Sequence, residues 1–225
     1  MEPLAYELIL WDWNGTLLDD ADFGVAIVNR LLRSRGLPER SREEHGRLFD
    51  FPVIRYYERL GFDFSREPFE EISHDFVETY YGSVHECPLH AGTRELLAEL
   101  QEAGYRQIVL SATRQDLLES IIEGQGLGHF FEELLGIDSV HAPGKAGRGC
   151  EWLAAAGLEA ARVLLIGDTM HDAEVAAEMG IDCWLVTGGH HPEERLSQAG
   201  LPLFPNLQAV RAALLKPRVE RTGSV

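Results

Sequence analysis

Four short stretches of this chain are apolar almost from end to end, and segments of helical pattern stand between them. They are YELILW (6–11), RQIVLS (106–111), RVLLIG (162–167) and DCWLVT (182–187). Unbroken apolarity, in place of alternation, is what a strand needs when both faces of its sheet are covered. TRELLAELQEAG (93–104) comes before the second run, RGCEWLAAAGL (148–158) before the third and HDAEVAAEMG (171–180) before the fourth, with Gly104 and Gly180 placed to stop their helices. Strand, helix, strand in succession predicts an α/β fold, a Rossmann-like parallel sheet with helices on both faces.

The stretch from residue 20 to residue 88 breaks that rhythm. FGVAIVNRLLRSRG and PFEEISHDFVETYYG read as helices, and no segment there reads as a strand. Ten of the chain's twenty aromatic residues fall between Phe49 and Tyr81, enough to give the segment a core of its own. The organisation expected is a core of residues 1–19 and 89–215, an inserted α-helical cap domain of residues 20–88, and a polar tail of residues 216–225.

A length of 225 residues with 45% hydrophobic content suits one sizeable core carrying a smaller insert. The formal charge of −17 argues against nucleic acid and against an anionic membrane as partners, so an anionic substrate must be attracted locally. No apolar run approaches a membrane span, and MEPLAYEL is not a leader pattern. The three cysteines, Cys87, Cys150 and Cys183, match neither a disulfide framework nor zinc spacing. A soluble cytoplasmic protein is expected. Its twenty positive charges are eighteen arginines and two lysines, Lys145 and Lys216, which limits any mechanism that needs an amine.

In an open parallel sheet, ligands bind beyond the carboxyl ends of the strands. The residues there are Asp12, Ser111 and Asp168, with Asp172 one helical turn after Asp168 in GDTMHD. Three carboxylates in one place raise one another's pKa unless a cation compensates them. Oxygen ligands without histidine or cysteine at metal spacing favour magnesium over zinc. Each residue also has a plainer reading. Asp12 to Gly15 can be an ordinary turn, Asp168 and Asp172 a helix cap and a first-turn acid, Ser111 a strand end and Lys145 a solvated loop charge. Trp11 and Trp13 read as packing, and Arg47 and Arg55 as solvated charges on helix surfaces.

Taken in order, LILWDWNGTLLDD, IVLSAT, Lys145 in APGKAGRG, and VLLIGDTMHD resemble the four motifs of the haloacid dehalogenase superfamily, in its phosphoglycolate-phosphatase-like branch. The resemblance spans nearly the whole chain and implies that the insert is a helical cap. It implies a magnesium-dependent phosphatase acting on a small phosphorylated metabolite, with Asp12 as the nucleophile that becomes an aspartyl phosphate. It further implies magnesium ligands at Asp12, the Asn14 backbone carbonyl and Asp168, with Asp172 beside them or joined through water. By the same resemblance Gly15 and Thr16 form the phosphate turn, Ser111 and the Ala112 amide bind phosphate, and Lys145 balances its charge, with Arg148 able to assist.

One residue departs from the pattern. The family usually has a second aspartate at the position of Asn14, which protonates the leaving oxygen and later activates water. Asparagine cannot exchange that proton, though its amide can orient a leaving group and its backbone carbonyl still serves a metal. Loss of a general acid and base typically costs about 10²- to 10⁴-fold. His171, His190 and His191, near the strand ends, are candidates to donate a proton instead. Two other readings stay open, a module that binds a phosphorylated ligand with little or no turnover, and a dehalogenase. The superfamily's phosphonate cleavage uses a cap lysine, and residues 20–88 contain none. Oligomeric state is left open.

Overall fold

The computed structural model describes residues 6–137 and 144–216. Its strands are β1 (Leu8–Trp11), β2 (Arg106–Arg114), β3 (Glu133–Ile137), β4 (Val163–Gly167), β5 (Asp182–Val186) and β6 (Leu203–Phe204). They form one parallel sheet in the order β3-β2-β1-β4-β5-β6. Between β1 and β2 come the helices α1 (Ala21–Ser34), α2 (Arg42–Leu48), α3 (Val53–Leu60), α4 (Phe69–Ser83) and α5 (Thr93–Glu102). Then follow α6 (Gln115–Gly124), α7 (Lys145–Ala156), α8 (Met170–Met179), α9 (Glu193–Leu196) and α10 (Leu207–Leu214).

The sheet is covered on both faces, which is why its strands read as continuous apolar runs. Ile9 and Trp11 join Val109, Leu164 and Ile166 in one buried cluster with α5, α6 and α10. Leu8 and Leu10 join Ile108, Leu110, Val163 and Leu165 in a second, under α7 and α8. Period-two alternation thus divides the same strand between two cores. Trp11 and Trp13 are fully buried packing residues, as expected.

All four expected strands are present, and the structure adds two. β3 escaped notice because ELLGI is a short run beside acids, at a sheet edge where only Leu135 and Gly136 are buried. β6 has two residues, too few for any pattern. β2 also runs past Ser111 to Arg114 through an irregularity in its pairing with β3, so Ser111 lies within the strand and not at its end. α7 begins at Lys145 rather than at residue 148, so that lysine opens a helix and is not a loop charge. α8 stops at Gly180 in the left-handed region, as expected of a glycine stop.

Residues 20–88 contain no strand. Val28, Leu31 and Leu32 of α1, Tyr56, Tyr57 and Leu60 of α3, Phe62 from the link after α3, and Ile72 of α4 close a third buried cluster, composed of insert residues alone. Among the described residues no helix is long and apolar enough to cross a membrane. Cys87, Cys150 and Cys183 are unpaired thiols. Residues 1–5, Ala142 and Pro143 of the third motif, and the tail beyond Lys216 lie outside the described residues.

Candidate active site

The chain runs from β1 to β2 on one side and lies against β4 on the other, so β1 marks the point where strand order reverses. That is where a doubly wound sheet opens a crevice at its carboxyl edge. Asp12 leaves β1 there, its amide donating to the Ile166 carbonyl of β4 at 2.9 Å. The chain then turns through Gly15 at φ 77°, where a Cβ would lie 2.3 Å from Asp168 Oδ2. Only glycine permits both the left-handed turn and that approach. The turn is closed by the Leu17 and Leu18 amides donating to the Trp13 carbonyl at 3.1 and 2.9 Å.

Asp12, Asp168 and Asp172 each place a carboxylate oxygen within 4.8 Å of the others, and all three are buried. Lys145, 3% exposed, reaches in from the first turn of α7. Its Nζ donates to Asp12 Oδ1 at 2.5 Å and to Asp172 Oδ1. The Thr16 hydroxyl lies 3.1 Å from Asp12 Oδ2 and 2.8 Å from Asp168 Oδ1, so it faces the carboxylates. Burial and the neighbouring carboxylates push Asp12 well above the usual carboxylate range, against the pull of Lys145, and burial also raises Asp168. Asp172 goes the other way: Lys145 and the Thr169 bonds overcome its desolvation and hold it low. Lys145 itself stays charged, because the two carboxylates outweigh the burial that disfavours its ammonium. The ammonium serves Asp12 and Asp172, while Asp168 has the His190 amide and the Thr16 hydroxyl, and three carboxylates this close make a place that suits an oxygen-preferring divalent cation.

Asp172 is the first-turn acid of α8 and also belongs to the carboxylate cluster. Thr169 is the N-cap of α8, its hydroxyl accepting from the Asp172 amide while Asp172 Oδ2 accepts from the Thr169 amide at 3.0 Å and hydroxyl at 2.6 Å. This capping box holds the side chain so that Oδ1 meets Lys145. Asp168 is not the cap; its Oδ2 accepts from the His190 amide at 2.5 Å. A Cβ at Gly189 would stand 2.1 Å from that same oxygen, so the loop after β5 must be glycine there.

Ser111 lies beside Asn14: its hydroxyl donates to Asn14 Oδ1 at 3.4 Å and accepts from the Thr113 amide at 3.0 Å. Ala112 follows it, half-buried. The Asn14 amide is fully engaged. Oδ1 accepts from the Thr113 hydroxyl at 2.6 Å, and Nδ2 donates to the Tyr80 hydroxyl at 2.7 Å and to Asp20 Oδ2 at 3.0 Å. Orienting a leaving group would require breaking one of these bonds. Tyr80 also donates to Asp20 Oδ2, while Oδ1 accepts from the Gly15 amide at 2.8 Å and pairs with His190 Nε2 at 3.5 Å. Burial disfavours the Asp20 carboxylate, but His190, Tyr80 and Asn14 together hold its pKa low; Asp20 in turn lifts His190 to about 9 despite burial.

Asp20, Tyr80, Thr113 and Thr169 escape sequence reasoning. Asp20 has the look of a helix cap, and it does stand at the N-cap of α1, yet its side chain caps nothing and turns back to the Asn14–Gly15 loop. Of the three histidines, His190 meets Asp20, His171 stacks on Phe51 at 4.4 Å, and His191 accepts the Met170 amide at 3.0 Å and donates to the Phe49 carbonyl at 3.0 Å. Residues 49–51, between α2 and α3, therefore sit directly on the first turn of α8 and the loop after β5. Arg195 secures them through the Phe49 carbonyl and Asp50, at 3.1 Å from the latter. Arg47 pairs with Glu43 and lies 3.8 Å from Glu194, so its charge is spent on carboxylates of the protein.

The sequence pattern of the haloacid dehalogenase-like hydrolases matches residues 9–186. The chain is 28% identical over 191 residues to the phosphoglycolate phosphatase of Caulobacter vibrioides, covering 82% of this chain and 81% of that one. It is 27% identical over 202 residues to the N-acetylmuramic acid 6-phosphate phosphatase of Pseudomonas putida, covering 85% and 88%. Its fold matches a haloacid dehalogenase-like family hydrolase of Streptococcus pneumoniae with a TM-score of 0.79 at 21% identity, over 93% of this chain and 98% of that one. With that family pattern running from β1 through β5, and its motif residues gathered at the carboxyl edge of one parallel sheet, the chain belongs to the haloacid dehalogenase-like hydrolases.

Proposed function

We propose that this protein is a phosphatase that hydrolyses a small phosphate ester through covalent attack by Asp12. The observation that carries this reading is the buried cluster of Asp12, Asp168 and Asp172 around the single ammonium of Lys145. A site built only to hold phosphate has no use for three carboxylates; a nucleophile, a cation site and a charge-balancing lysine account for all four groups.

Asp12 is the nucleophile, and Lys145, bonded to it, opposes the burial that disfavours its carboxylate and balances the arriving phosphoryl group. Magnesium fits the donor set, and Asp12, Asp168 and the Asn14 carbonyl would hold it. Asp172 has donors on both oxygens already, so it would act alongside the ion or through water. Such an ion supplies electrostatic screening, so that one anion can approach another. Gly15, Thr16, Ser111 and Ala112 line the place of the phosphoryl group. Helices α1–α4, residues 20–88, act as the cap: Phe49 and Phe51, held over the first turn of α8 and the loop after β5, exclude water from the site in this docked arrangement. The relatives named above differ in the ester that their names carry, so the reading extends to a small phosphorylated metabolite and no further.

The test is phosphate release from a panel of phosphorylated metabolites with magnesium, comparing wild type with Asp12→Asn. Turnover by wild type that the substitution abolishes supports the reading. The full engagement of the Asn14 amide favours one rival, a phosphate-binding module without turnover. Phosphate binding by wild type with no turnover of any ester would decide for it.

A further inference from the structure

Asn14, the residue that departs from the family pattern, has a partner six residues later. An ionised carboxylate only accepts hydrogen bonds, so Asp20 obliges the Asn14 side chain to present its nitrogen, at 3.0 Å. The Tyr80 hydroxyl lies between them, accepting from Asn14 Nδ2 at 2.7 Å and donating to Asp20 Oδ2. On its far side Asn14 Oδ1 takes the Thr113 hydroxyl at 2.6 Å. The other oxygen of Asp20 takes the Gly15 amide at 2.8 Å, inside the turn that follows the nucleophile. Asp20 is 2% exposed, so its own bonds are shielded from water.

We propose that Asp20 is a positioning residue for the nucleophile loop, that it orients Asn14 and Gly15 together, and that residues 14 and 20 form a matched amide–carboxylate pair. The proposal rests on the phosphatase reading of the site. An aspartate at position 14 beside Asp20 sets two buried carboxylates about 3 Å apart, in the place where Asn14 donates today. One of them must take up a proton or swing away, and either change disturbs the present bonds to Tyr80 and Thr113. Exchanging the two residues has a different consequence. One amide and one carboxylate remain, the bond between them is kept with donor and acceptor reversed, and an asparagine at position 20 can still accept from the Gly15 amide.

The experiment is a double-mutant cycle of Asn14→Asp, Asp20→Asn and the double exchange. It uses the full chain with magnesium, with p-nitrophenyl phosphate as the probe and the melting temperature recorded beside the kinetics. Asp20→Asn is expected to lower kcat about tenfold with KM little changed, the loss of one charge-assisted hydrogen bond at the loop, and Asn14→Asp, which brings an exchangeable proton but faces a second carboxylate, is expected to turn over more slowly than the double exchange. The double exchange is expected to recover kcat to wild type or above and to melt higher than either single variant. Tyr80→Phe removes only a hydroxyl and is expected to lower kcat about threefold, which keeps the test alive if a single variant fails to fold. Asp20→Asn that matches wild type, Asn14→Asp that turns over as fast as the double exchange, or a double variant that falls by the product of the two, overturns the pairing. A wild type that does not release nitrophenolate overturns the phosphatase reading instead. The pairing is then judged by melting temperatures, where failure of the double exchange to recover stability rejects it.

Discussion

Replacing Lys145 with methionine tests the electrostatics of the site with little change in side-chain volume. The ammonium is 2% exposed, and it sits 2.5 Å from an oxygen of Asp12 and within bonding distance of Asp172. At an effective dielectric of about 20, each unit-charge pair near 4 Å contributes about 4 kcal/mol of attraction. Two pairs give about 8 kcal/mol gross, from which the ammonium's own desolvation removes several. Cutting one partner out of a buried charge cluster accordingly costs about 3–5 kcal/mol. Lys145→Met should lose that much unfolding free energy in guanidinium titrations run with a chelator. Magnesium should restore a larger part of it in the variant than it adds to wild type, because the variant's carboxylates carry one more uncompensated charge. Turnover should vanish. A loss below about 1 kcal/mol in chelator would refute the reasoning, since it would mean that the carboxylates are not ionised against the lysine.

Two other outcomes follow from buried histidines. His45 in α2 is 2% exposed between the Tyr56 hydroxyl and the Asn29 side-chain oxygen, 3.2 Å away, and burial pushes it down to about 4. The unfolded chain takes up its proton near pH 6.5 and the folded one does not, so its contribution is whole above pH 6.5 and is lost as pH falls toward about 4. The loss reaches roughly 3 kcal/mol, and His45→Gln should flatten that part of the stability–pH curve; an unchanged curve counts against it. His191→Leu removes the imidazole that ties the Met170 amide to the Phe49 carbonyl, both at 3.0 Å. Hydrogen exchange at residues 49–53 should accelerate about tenfold, well beyond any change in the strands, and equal protection in both proteins would show that the contact does not hold that segment down.

Much of the core was legible because its signals are local. A strand covered on both faces must be apolar throughout, and β1, β2, β4 and β5 announce themselves for that reason. β3 and β6 do not, since an edge strand and a two-residue strand leave too few buried positions to make a pattern. The absence of any strand between residues 20 and 88 was equally plain from periodicity. Within the site, Asp12, Asp168, Asp172 and Lys145 were found because each closes a strand or belongs to an ordered motif. Ser111 was expected to close its strand and instead lies within β2, whose irregular pairing continues to Arg114, with its hydroxyl on Asn14.

The order of residues along the chain is enough to specify a parallel sheet, a helical insert and four motifs that bring three acids and a lysine to one edge. Those are consequences of periodicity and of strand ends, which a chain carries along its length. The tertiary structure alone decided who bonds to whom. Asp20 reads as a helix cap and becomes the anchor of Asn14, with Tyr80 arriving from sixty residues further on in α4 and His190 from the loop after β5. His191, one residue later, ends up tying Met170 to the insert. Such bonds join residues whose spacing has no period, and they exist only because packing the insert onto the sheet buries polar groups that must then find partners among one another.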